Sequence, residues 1–192
     1  MRLAAVLIAA ASLTPASASA DIIELKEGDV YCIAYDEDSN SCASVQTLKD
    51  LGDGNYVMLD LAGFAFGPTK LDMVASFEAF EEDGKLCIAP DGINVAITPK
   101  ESKLSEGYQT LMQYTLTKIA EEGYCFEHKP CGEEWVAIGW VAGKARQDMS
   151  ATFRVFSADD PRSQTVQPRY LGEDEMSTMQ KKVSDQCFPK DA

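Results

Sequence analysis

The stretch Val74-Ala75-Ser76-Phe77-Glu78-Ala79-Phe80-Glu81-Glu82-Asp83-Gly84-Lys85-Leu86-Cys87-Ile88-Ala89 decides the fold. Asp-Gly between two alternating apolar stretches is the strongest short-range signal for a β-hairpin, because both residues of a tight turn tolerate positive φ. Asp53-Gly54 repeats the signal between the run ending at Leu48 and the run Asn55 to Leu61. Working outward, Asp29 to Tyr35 is apolar on both faces and reads as a covered strand. The Asp36-to-Ser41 stretch that follows is a polar turn. Gly63 to Lys70, with Gly67-Pro68, reads as a loop, and Asp91-Gly92 as a further turn before Ile93 to Ile97. Trp135, Val136, Ile138, Trp140 and Val141 mark a central strand over Glu134 to Ala142. Ala151 to Phe156 is its expected neighbour across a turn at Gly143 to Met149.

Two segments have helical spacing. From Ser105 to Glu122, Tyr108, Leu111, Met112, Thr115, Leu116, Ile119 and Ala120 recur by threes and fours. Ser105 stands where an N-cap belongs and Gly123 where the helix ends. A shorter helix is expected from Glu173 to about Ser184, with an acidic start and a basic end that suit the helix dipole. The fold class is therefore α+β. It has a predominantly antiparallel sheet of about seven to eight strands, a sandwich or half-barrel, covered by one long central helix and a shorter C-terminal one.

The N-terminus carries an address. Arg2, the apolar run Leu3 to Leu13, the break at Thr14-Pro15 and the small residues Ala18-Ser19-Ala20 form the three parts of a secretory signal. Cleavage is expected after Ala20, so residues 1–20 are a signal peptide and 21–192 a single exported domain. The run is about 11 residues, against the roughly 20 needed to span a bilayer, so no membrane span is expected. The destination is the periplasm or the exterior.

Such a compartment is oxidising, and the chain has six cysteines, Cys32, Cys42, Cys87, Cys125, Cys131 and Cys187. They read as structural disulfides, since no Cys-x-x-Cys suggests redox or zinc chemistry. Sequence leaves 15 pairings open. Cys32 with Cys42 across a turn and Cys125 with Cys131 around a short loop are favoured locally, which leaves Cys87 for Cys187. A weak echo links Tyr31-Cys32-Ile33-Ala34, Leu86-Cys87-Ile88-Ala89 and Tyr124-Cys125-Phe126, and reads as strands that look alike rather than as a repeat.

With 31 acidic residues against 17 basic, the formal charge is −14, which argues against nucleic acid or an anionic membrane as partner. A basic protein or an envelope component fits the charge better. Catalytic patterns are missing: there is no Gly-x-Ser-x-Gly, P-loop, dinucleotide-binding glycine pattern or His-Glu-x-x-His. His128 is the one histidine, so a histidine-rich metal site is excluded, and it reads as an exposed residue of the Cys125–Cys131 loop. Asp36, Asp38 and Asn40 imitate the start of a calcium loop, but Ser41 and Thr47 occupy its two most constrained positions. No catalytic, cofactor or metal residue is nominated.

Cys32 to Gln46 (Cys, nine residues, Cys, then Gln four further on) resembles the opening of the invasion-associated locus B family of alphaproteobacterial periplasmic proteins. The resemblance covers about 15 residues, and the rest of the chain departs from that pattern, so no residue role is taken from it. The expected function is a non-enzymatic binding or inhibitor-like module. The alternative is a hydrolase using a carboxylate pair or His128.

Overall fold

Three two-residue turns set the architecture. Asp53-Gly54, Asp83-Gly84 and Ala142-Gly143 each place both residues at positive φ, between +50° and +73°. That geometry matches the right-handed twist of paired strands. The computed structural model describes residues 26–66, 69–98 and 103–171, together with residues 175, 178, 181, 183, 187 and 188. The expected signal peptide, and most of the expected helix over 173–184, lie outside these described residues.

In chain order the strands are β1 (Val30–Ile33), β2 (Ser41–Cys42), β3 (Ser44–Gly52), β4 (Asn55–Phe66), β5 (Thr69–Glu82) and β6 (Lys85–Thr98). Helix α1 (Lys103–Glu121) follows, then β7 (Cys125–Cys131), β8 (Glu134–Val141) and β9 (Lys144–Phe156). A single helical turn α2 (Pro161–Thr165) and two short strands, β10 (Gln167–Pro168) and β11 (Tyr170–Leu171), complete the described elements.

The expected α+β class and mainly antiparallel sheet are found; the sheet, however, is closed. Strands run in the order β4-β3-β1-β9-β8-β7-β6-β5, and β5 pairs back onto β4. Eight antiparallel strands thus form an up-and-down barrel, which removes the exposed edges a sandwich or half-barrel would keep. β1 closes the ring by pairing with β3 on one side and β9 on the other, as at Cys32↔Val45 and Cys32↔Arg154. β11 pairs parallel to β4 where β4 extends beyond β3. Gly63 permits this, because a Cβ there would meet the Arg169 carbonyl oxygen at 3.0 Å.

Two expected turns prove to be bulges. Asp91-Gly92 lies inside β6, where Phe77↔Ile93 is followed by Ala79↔Ile88, so Ala89 to Gly92 oppose Glu78 alone. Gly92 is required there, since a Cβ would lie 2.4 Å from Glu78 Cβ. The bulge lets Ile88 and Ile93, an odd number of residues apart, both face inward. The turn expected over Gly143 to Met149 is shorter, and β9 begins at Lys144. Its later part bulges opposite Ile138, between Gly139↔Arg146 and Ala137↔Ala151. Ser150 Oγ holds that bulge by accepting from Gly139 N at 3.1 Å and donating to the Arg146 carbonyl at 2.7 Å. The loop expected over Gly63 to Lys70 is mostly strand, with β4 reaching Phe66 and β5 starting at Thr69.

The seam between β6 and β7 is the weakest part of the wall. Only Leu86↔Phe126 and Cys87↔Cys125 pair across it. Beyond them the free edge of β6 is covered by α1. Gln113 accepts from Val95 N at 2.9 Å and donates to the Ile93 carbonyl at 2.7 Å, and Gln109 accepts from Ile97 N at 3.2 Å. Two glutamine side chains therefore do for β6 what a ninth strand's backbone would do. Ser105, expected to cap α1, sits buried within its first turn. Tyr108, Met112, Leu116 and Ala120, one turn apart, face the core, while Leu111 is exposed.

All six cysteines are paired, as Cys32–Cys42, Cys87–Cys125 and Cys131–Cys187. The first matches the expectation and the other two correct it. Cys125 and Cys131 are the ends of one straight strand, and six steps of about 3.3 Å hold them roughly 20 Å apart, far beyond disulfide reach. Cys87 instead meets Cys125 directly across the seam. Cys187 ties the C-terminal segment to the outside of the barrel, where Val183 packs on Val136 and Ile138.

Candidate functional site

Alternation along each strand decides what faces the barrel axis. On β7 that rule places Phe126 and His128 inside and sends Glu127 and Lys129 outward, where they form an ion pair at 2.8 Å. The same alternation explains the three-fold echo. Tyr31 and Ile33, Leu86 and Ile88, and Tyr124 and Phe126 flank the outward-facing Cys32, Cys87 and Cys125, and all six line one internal cavity.

The cavity has a volume of about 210 Å³ and lies between the strands and α1, whose Met112 and Leu116 form part of its wall. Its lining is mostly apolar, with Met58, Met73, Phe77 and Phe153 among the larger contributors. Small residues make the room: Ala137 on β8 and Ala151 on β9 face each other in register on the inner surface. An eight-stranded barrel is just wide enough to be filled by side chains or to hold one small ligand. Here the alanines leave part of it unfilled.

Four ionisable groups face this space. Asp60 on β4 stands directly opposite Gln46 on β3. Its Oδ1 accepts from the Ser44 hydroxyl and its Oδ2 accepts from Gln46 Nε2 at 3.2 Å. Burial raises the Asp60 carboxyl above the ordinary range, and these two donors oppose that rise. His128 is half-buried and lines the cavity, with its ring edge-on to Phe153 at 5.4 Å between centroids. Desolvation lowers it to about 4, so the imidazole is neutral at pH 7. Burial pushes the Tyr31 phenol up to about 12. Tyr124 is also raised, by burial first and then by the charges of Asp60 and Asp148.

His128 is therefore not the exposed loop residue expected from sequence. The Phe126-x-His128 alternation carried the signal, but the two flanking cysteines suggested a stapled loop. Asp60 was not singled out at all. It is one acid among 31, and only the closed barrel distinguishes it. The two residues share the cavity, yet among the described residues no carboxylate orients the imidazole. Among the described residues the lining holds one carboxylate and no serine, threonine, cysteine, lysine or arginine.

The Asp36 to Ser41 segment is a closed turn. Asp36 Oδ1 accepts from the amides of Asp38 at 3.0 Å and Ser39 at 3.4 Å, and Asn40 Oδ1 accepts from the Tyr35 hydroxyl. Asn40 Nδ2 donates to Thr165 Oγ1 at 3.0 Å, which ties the turn to α2. Among the described residues no three His, Cys, Asp or Glu gather in a way that could hold a metal, and no helix is long and apolar enough to cross a membrane. Compared with protein families, curated proteins and solved structures, the chain finds no match.

Proposed function

We propose that this protein is an exported, non-enzymatic binding protein that carries one small, largely apolar ligand inside its barrel. The observation that carries the reading is the alanine-relieved cavity inside the barrel. Cores normally fill to crystal-like density, so a lined space of this size in the middle of a β-barrel is a place for a guest. The absence of a serine, threonine or cysteine nucleophile among the described lining residues favours binding over the alternative of a His128 hydrolase. A single carboxylate there favours it over a carboxylate-pair mechanism. The expected signal peptide and the three disulfides support a periplasmic or secreted location.

Toluene titrated into the disulfide-intact protein tests the reading. It raises the thermal midpoint and gives a saturable isotherm with one site per chain. Ala151→Leu and Ala137→Leu each fill part of the space, so either variant abolishes the isotherm while keeping a cooperative thermal transition. Binding that survives in both variants places the guest elsewhere and rejects the proposal.

A further inference from the structure

The cavity's polar wall points to the charge of its guest. Asp60 is a carboxyl group on the inner face of the barrel, held by two neutral donors and facing a space whose described lining residues include no lysine or arginine. A carboxylate offers about four lone-pair sites, and Ser44 and Gln46 use two of them. The donors fix the group's orientation without neutralising it. A buried charge without a counter-ion is costly, and a cation placed beside it removes that cost. The rest of the enclosure suits a cation as well. Tyr31, Tyr124, Phe126 and Phe153 present aromatic rings, whose faces attract positive charge. Tyr124 lies close enough to Asp60 to feel its charge, and His128 is neutral and adds no competing positive charge. The formal charge of −14 raises the local concentration of any cation that approaches.

We propose that the barrel binds a small aromatic or short-chain amine as its ammonium ion, with Asp60 as the counter-ion. This deepens the ligand-carrier reading above and rests on it. Size sets the class: an apolar cavity of about 150 Å³ takes benzene, so this one takes a single ring with a short tail.

Isothermal titration at pH 7.5 with 2-phenylethylamine, 2-phenylethanol and 3-phenylpropionate compares three guests of similar shape and different charge. The amine binds at least ten-fold more tightly than the alcohol, and the carboxylate does not bind measurably. Asp60→Asn, isosteric and able to keep a bond to Ser44, brings the amine down to the level of the alcohol. The wild-type ranking decides the matter even if that variant does not fold. If the alcohol or the carboxylate matches the amine in the wild type, or the preference for amine persists in Asp60→Asn, the cation proposal is overturned. If toluene binds and the amine has no advantage, the carrier reading stands alone. If none of the four compounds binds, both fall.

Discussion

The side-chain amide of Gln113 accepts the Val95 N–H at 2.9 Å and, through its nitrogen, reaches the Ile93 carbonyl at 2.7 Å. One α1 side chain thus pairs two backbone groups of β6 that no strand reaches. This contact joins the helix to the wall of the cavity, since Met112 beside it faces the interior.

Gln113→Ala leaves both backbone groups without their partner. Unfolding free energy falls by about 1–3 kcal/mol, measured by urea denaturation. The Val95 amide then exchanges hydrogen markedly faster, while amides in the β3–β4 hairpin keep their protection.

Replacing Cys87 and Cys125 together by alanine removes the covalent tie across a seam that has only two residue pairs. The loss is about 2–5 kcal/mol, measured as a drop in thermal midpoint. Exchange at Ile88, whose amide bonds the Tyr124 carbonyl across this seam, rises more than exchange at Val45.

His128 gives the fold a pH dependence of known sign. The unfolded imidazole gains a proton below about 6.5, and the folded one only below about 4. In that interval the unfolded chain binds more protons, so stability falls as pH drops from 6.5 towards 4, by up to about 3 kcal/mol. His128→Phe keeps an aromatic ring at this position and removes the ionisation. The stability difference between the wild type and this variant therefore shifts against the wild type over that window. Asp60, common to both chains, cancels. A difference that stays flat between pH 7 and pH 4 contradicts a desolvated His128.

Ala142 adopts φ +50° in the β8–β9 turn, a conformation that L-alanine disfavours. Ala142→Asn restores the Asn-Gly pairing such turns prefer and stabilises the protein by about 0.5–1 kcal/mol, read from the thermal midpoint.

This alanine also shows what could be read from the chain and what could not. Asp53-Gly54 and Asp83-Gly84 announced their hairpins because their side chains suit the turn. Ala142-Gly143 carries half that signal, so the turn was placed too late. Asp91-Gly92 carries the full signal yet forms a bulge, because Glu78 on the neighbouring strand leaves space only for glycine. Closure of the sheet rests on pairings such as Val30↔Phe156 between the two ends of the barrel, which no local pattern encodes. The site was hidden for the same reason. Asp60 and His128 lie 68 positions apart in sequence and line one cavity only once the ring closes.

The most direct test of the ligand-carrier account is to ask what the protein holds when isolated from its own cells. Purified without denaturant and then unfolded, the wild type releases one small guest in near-stoichiometric amount, identified by mass spectrometry, and with Asp60 as its counter-ion that guest is an amine. Ala151→Leu, prepared in parallel, releases none. Equal release from both chains, or no release from the wild type purified at a concentration of guest that saturates it, contradicts the account.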